Sequence, residues 1–84
     1  MTAVESPERT AGLTKRSFTL AGHRTSVALE PDFWSALRHI AATRGQSLSA
    51  LVAQTDSGRM GGQPLASALR LVALRAFCPI VDHR

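Results

Sequence analysis

One stretch of this chain alternates at period two, and three stretches repeat at helical spacing. In residues 24–29, RTSVAL, Thr25, Val27 and Leu29 fall on one face of an extended chain, and Arg24, Ser26 and Ala28 fall on the other. Residues 17–21, SFTLA, alternate more weakly, with Phe18 and Leu20 set against Ser17 and Thr19. Gly22-His23 stands between them. Two arrangements fit. A tight turn at Gly22-His23 would join two strands of one chain as a hairpin. Otherwise residues 17–21 are an extended lead-in, and the strand at 24–29 pairs with its twin from a second copy. Gly-His is not among the strong hairpin dipeptides, so the expectation is one short strand per chain. A lone strand cannot satisfy its own backbone, and the simplest partner is the same strand across a two-fold axis.

Helical spacing begins at Glu30-Pro31-Asp32. Proline suits a first helical turn, and the two acids complement the positive end of the helix dipole. Phe33, Trp34, Leu37, Ile40 and Ala41 then recur at spacings of three and four, with Arg38, His39 and Thr43 away from the stripe. Gly45 is placed to end this helix in the left-handed region. Ser47 caps a second helix, SLSALVAQ, with Leu48, Leu51, Val52 and Thr55 inward. Asp56-Ser57-Gly58 and Gly61-Gly62 break the pattern and predict a loop over 56–63. A third helix follows over 64–77, PLASALRLVALRAF. Leu65, Ala68, Leu69, Val72 and Ala76 share a face, Leu71 and Leu74 widen it, and Arg70 and Arg75 lie at its edge or in solvent. Cys78-Pro79 stops it. The chain therefore divides into an N-terminal arm (1–14), a strand-helix-helix core (15–56), a glycine-rich loop (57–63), a third helix (64–78) and a tail (79–84). The fold class is mainly α.

With 84 residues this is one small domain, whose core would be marginal in a monomer. That points to a homodimer. Ten Lys and Arg against six Asp and Glu give a net charge of +4, which suits an anionic partner such as nucleic acid.

The side-chain chemistry is sparse. Cys78 is the one cysteine, and the histidines at 23, 39 and 83 show no ligand spacing, so no metal and no cofactor is expected. Cys78 is better suited to packing than to attack on a substrate. Glycines 58, 61 and 62 lack the lysine and hydroxyl ending of a phosphate loop. No Ser/His/Asp or Cys/His arrangement and no carboxylate pair has a credible setting, so the chain is not expected to be an enzyme. Trp34 offers a face for base stacking, but its place in an apolar stripe points to core or dimer packing. No apolar run reaches membrane length and no secretory signal precedes the domain, which fits a cytoplasmic protein.

The order of these elements resembles the ribbon-helix-helix family of DNA-binding proteins, of the Arc and MetJ type. The signals are an alternating strand, an acid-Pro-acid helix start, Arg44-Gly45, and Ser47-x-Ser49 at the next helix start. The resemblance covers about residues 24–54. The longer stretch from Lys15-Arg16 through AGHRTSVALE to SALRLVALRAF is similar to a bacterial subgroup of that family with a third helix. The resemblance implies an intertwined homodimer whose two strands pair antiparallel and enter the major groove, acting as a transcriptional regulator or repressor. It implies base contacts by Arg24, Ser26 and Ala28. Arginine can pair with guanine, serine with several bases, and alanine only with a thymine methyl. It also implies a phosphate held at the second helix start by Ser47, Leu48 and Ser49, with Arg44 beside it. Lys15 and Arg16 are further phosphate candidates. The dimer core would comprise Val27, Leu29, Trp34, Leu37, Ile40, Leu51 and Val52. Two alternatives stay open: an antitoxin-like module whose third helix docks a partner protein, and a DNA-binding fold kept only as a dimerisation scaffold.

Overall fold

Two strands, not one, precede the helices. In this computed structural model, which describes residues 12–77, β1 (Thr14–Leu20) and β2 (His23–Leu29) pair antiparallel within a single chain. The register runs from Thr14 opposite Leu29 to Leu20 opposite His23. This corrects the expectation of one short strand per chain: β1 and β2 pair with each other within a single chain. The turn lies at Ala21-Gly22, one residue earlier than Gly22-His23. Both turn residues have positive φ, 51° and 84°, as two-residue hairpin turns of the twist-matching kind require. The second turn position is glycine, which adopts that conformation without strain.

Three helices follow: α1 (Pro31–Thr43), α2 (Leu48–Gly58) and α3 (Leu65–Phe77). Glu30 caps α1 and Pro31 occupies its first turn. At its end Gly45 N–H donates to Ala42 O at 3.1 Å and Gln46 N–H to Ala41 O at 2.9 Å. That paired closure needs a left-handed residue, supplied by Gly45 at φ 68°. Ser47 then caps α2. The second helix continues through Asp56, Ser57 and Gly58, which the sequence reading assigned to the loop. Arg59 ties the shortened loop down by donating to Asp56 Oδ1 at 2.9 Å and to Gln63 O at 2.6 Å.

The inward stripes form one core. Leu29, Trp34, Leu37, Leu51, Val52 and Leu69 are almost wholly buried, and Phe18, Leu20, Val27, Ile40, Ala41, Leu65 and Ala73 join them. Each large apolar side chain so buried contributes about 1.5–3 kcal/mol before entropy is counted. All seven residues expected in a dimer core are thus covered within one chain. Helix α1 packs on α2 and α3, while α2 reaches β1 and α3 reaches β2. The α3 stripe is rotated slightly from the expected one: Leu65, Ala68, Leu69 and Ala73 are buried, Val72 is half-buried, and Ala76 is exposed. Arg70 does not simply face water. Its Nε and Nη2 donate to Glu30 Oε1 at 3.1 and 3.0 Å, joining α3 to the cap of α1. Most of the proposed arm, Cys78, His83 and the tail lie outside the described residues.

Candidate nucleic-acid interface

The hairpin register sorts its side chains into two faces. Cross-strand neighbours in an antiparallel ribbon point the same way. Phe18, Leu20, Val27 and Leu29 point to the helices. The opposite face therefore carries Lys15, Ser17 and Thr19 from β1 against Ala28, Ser26 and Arg24 from β2. Five of these six are exposed and Ala28 is half-buried. No large apolar side chain interrupts this face.

Two of its three cross-strand pairs are hydrogen bonded. Ser17 Oγ and Ser26 Oγ lie 3.2 Å apart, and Arg24 Nη1 donates to Thr19 Oγ1 at 3.2 Å. The third pair sets Lys15 beside Ala28, the smallest side chain of the six. The expected base-reading residues Arg24, Ser26 and Ala28 thus share one face, as alternation required. Ser17 and Thr19 are on it too. Sequence reasoning missed them as candidates, although their alternation with Phe18 and Leu20 was visible once the turn is set at Ala21-Gly22.

Arg16 is separated from Lys15. It lies on the helix-facing side of β1, with its guanidinium carbon 5.6 Å from the centre of the Trp34 ring. Trp34 is 1% exposed, so it cannot stack on a base. Its indole N–H donates to Thr14 O at 2.8 Å, and its ring lies 5.9 Å from that of Phe18. Trp34 therefore fastens the start of β1 to α1 and holds the ribbon at a fixed attitude on the helices.

The second expected contact is the start of α2. Ser47 Oγ accepts from Ala50 N–H at 3.0 Å, and Ser47 O accepts the first helical bond, from Leu51 N–H. The Leu48 and Ser49 N–H groups precede that first bond at the positive end of the helix dipole. Ser49 is exposed, as is Arg44 one turn back in the chain. An anion at this end would meet two backbone donors. Among the described residues there is no group of three His, Cys, Asp or Glu able to hold a metal ion, and no helix is long and apolar enough to cross a membrane.

A family model described as a ribbon-helix-helix domain matches residues 13–77, from one residue before β1 to the last residue of α3. No curated protein and no solved structure matches the chain.

Proposed function

This chain belongs to the ribbon-helix-helix family of DNA-binding regulators, and we propose that it binds duplex DNA selectively by laying its hairpin in the major groove. The observation that carries the reading is the outward face of the ribbon. It is continuous, polar and basic at both ends, and mounted on a buried core that fixes its position. The major groove is roughly 12 Å wide and admits a two-stranded ribbon. Lys15 and Arg44, with the free N–H groups of Leu48 and Ser49 and the hydroxyls of Ser47 and Ser49, are assigned to phosphates. Arg24, Ser26 and Ala28 are assigned to base edges. The outcome for the cell is transcriptional regulation, with two copies of the chain acting together as a homodimer.

The test is a fluorescence titration of a labelled random-sequence duplex at two salt concentrations. Neutralising two phosphates, by Lys15 and Arg44, gives a slope of log affinity on log salt of about −1.8 per chain. Affinity then falls roughly twelve-fold between about 50 and 200 mM salt. An absence of binding at the lower salt would remove the DNA-binding reading.

A second reading gives α3 a protein partner, in the manner of an antitoxin. It is supported by Leu74 and Phe77, which are 43% and 57% exposed beside the half-buried Phe33. The inner face of the helix argues the other way: Leu65, Ala68, Leu69 and Ala73 are buried against the rest of the same chain.

A further inference from the structure

We infer that β1 is part of the recognition surface, and that Thr19 is a positioning residue which aims Arg24 at a guanine. The inference rests on the DNA-binding reading and adds to it a second strand of specificity and a preferred base. Its basis is the cross-strand geometry. Thr19 stands directly opposite Arg24 in the register, and its Oγ1 accepts from Arg24 Nη1 at 3.2 Å. Both residues are exposed, so the bond lies on the open face of the ribbon.

The chemistry follows from the guanidinium. It carries five N–H donors in a planar fork, and Thr19 occupies one of them. The remaining donors include pairs with the spacing to meet guanine O6 and N7 together. An unrestrained arginine pays rotamer entropy to reach that geometry, and it can as readily swing to a phosphate. A threonine hydroxyl on the neighbouring strand holds the side chain across the ribbon before DNA arrives, which lowers that cost. The same hydroxyl leaves no cation of its own, so it adds selectivity with no general affinity. Ser17 and Ser26, 3.2 Å apart, form the next rung of the same surface. Each hydroxyl can donate or accept, so that rung tolerates several bases. Sequence preference is therefore expected to be sharpest at the Arg24 end of the hairpin.

The experiment selects bound duplexes from a random-sequence pool with four full-length proteins: the unaltered chain, Arg24→Ala, Thr19→Val and Thr19→Ser. Valine keeps the β-branch and volume that suit a strand while deleting the hydroxyl, and serine restores the hydroxyl. The unaltered protein is expected to enrich a guanine at one position. Arg24→Ala should erase that preference. Thr19→Val should weaken it about fivefold, a fraction of what a good arginine–guanine pair discriminates. Thr19→Ser should recover it. Thr19→Ala is made in parallel, so a folding defect in the valine variant does not decide the result. A guanine preference that survives the loss of the hydroxyl overturns the positioning role. Duplex binding with no enriched base overturns this inference while leaving the DNA-binding reading in place. No duplex binding by the unaltered chain overturns both.

Discussion

Ala21 is the one described non-glycine residue with positive φ, and it sits at the first position of the hairpin turn. A left-handed alanine costs roughly 1–2 kcal/mol, because its Cβ crowds the following carbonyl. Asparagine visits that region more readily through local hydrogen bonds, and Asn-Gly is the favoured pair for such a turn. Ala21→Asn should therefore stabilise the chain by about 0.5–1 kcal/mol, a gain of about 3–6 °C in Tm on thermal melting. A melting temperature that fell would mean the turn is shaped differently. Arg24 makes the complementary case on the binding side. Arg24→Ala should cost about 1–3 kcal/mol at a selected duplex, compared with its effect on a random one. Equal losses on both would leave Arg24 as a phosphate contact. The residue alternation behind this assignment was legible from Arg24 to Leu29, because a strand of half-buried character declares its faces. The role of Thr19 was not legible. It depends on which residue stands across the ribbon, and register is a tertiary fact until the turn is known.

At the level of elements, the helices were the readable part, and the reasons are local. Pro31, Gly45 and Ser47 each fix a boundary by their own backbone chemistry, and each boundary falls where that chemistry puts it. The hairpin is the arrangement the sequence favours less, because its turn is Ala-Gly rather than Asn-Gly, and because Thr14, Lys15 and Arg16 carry no alternation of apolar side chains. Those residues extend β1 through pairing with β2 and through the bond from Trp34 to Thr14 O. The end of α2 was placed too early, since Asp56-Ser57-Gly58 looked like a break. Arg59 stabilises the helical form by bonding back to Asp56.

Two predictions belong to this scale. Gly45→Ala puts a Cβ into the left-handed closure of α1 and should destabilise the chain by about 1–2 kcal/mol. Measured by duplex titration, it should also weaken the phosphate contact, because that closure sets the start of α2. The second concerns the tie between Glu30 and α3. The backbone hydrogen bond at Glu30 and then the Arg70 side chain lower the Glu30 pKa from its ordinary 4.5. The stabilisation from a depressed carboxyl is present above the unfolded value and is lost as pH falls through the folded one. Melting temperature should therefore drop as pH falls below about 4.5, and Glu30→Gln should flatten that part of the profile. An identical acid profile in the variant would show that other carboxyls set it.

For the whole molecule, the consequence of the hairpin is that one chain already owns both strands. A second copy joined along a ribbon edge would give four strands. Three strand spacings of about 4.8 Å make a backbone sheet roughly 14 Å across before side chains, wider than the roughly 12 Å groove. On the proposal that the hairpin itself fills the groove, two copies present two separate ribbons or exchange β1 between chains. The closed core favours separate ribbons, because Val27, Leu29, Trp34 and Leu51 are buried without help from another copy. The Ser17–Ser26 pair lets this be measured. Its oxygens are 3.2 Å apart, so the double variant Ser17→Cys with Ser26→Cys brings two thiols into bonding range, in a chain where Cys78 is changed to Ser. Oxidation should yield a disulfide within one chain, seen as a monomer-sized, faster-running band on a non-reducing gel. The cross-linked protein should still bind duplex DNA, since the bond locks the ribbon in the form assigned to the groove. A covalent dimer band would instead mean that β1 of one copy pairs with β2 of another. An intrachain bond that abolished duplex binding, with binding restored when the same variant is reduced to its two thiols, would show that the ribbon must open to work.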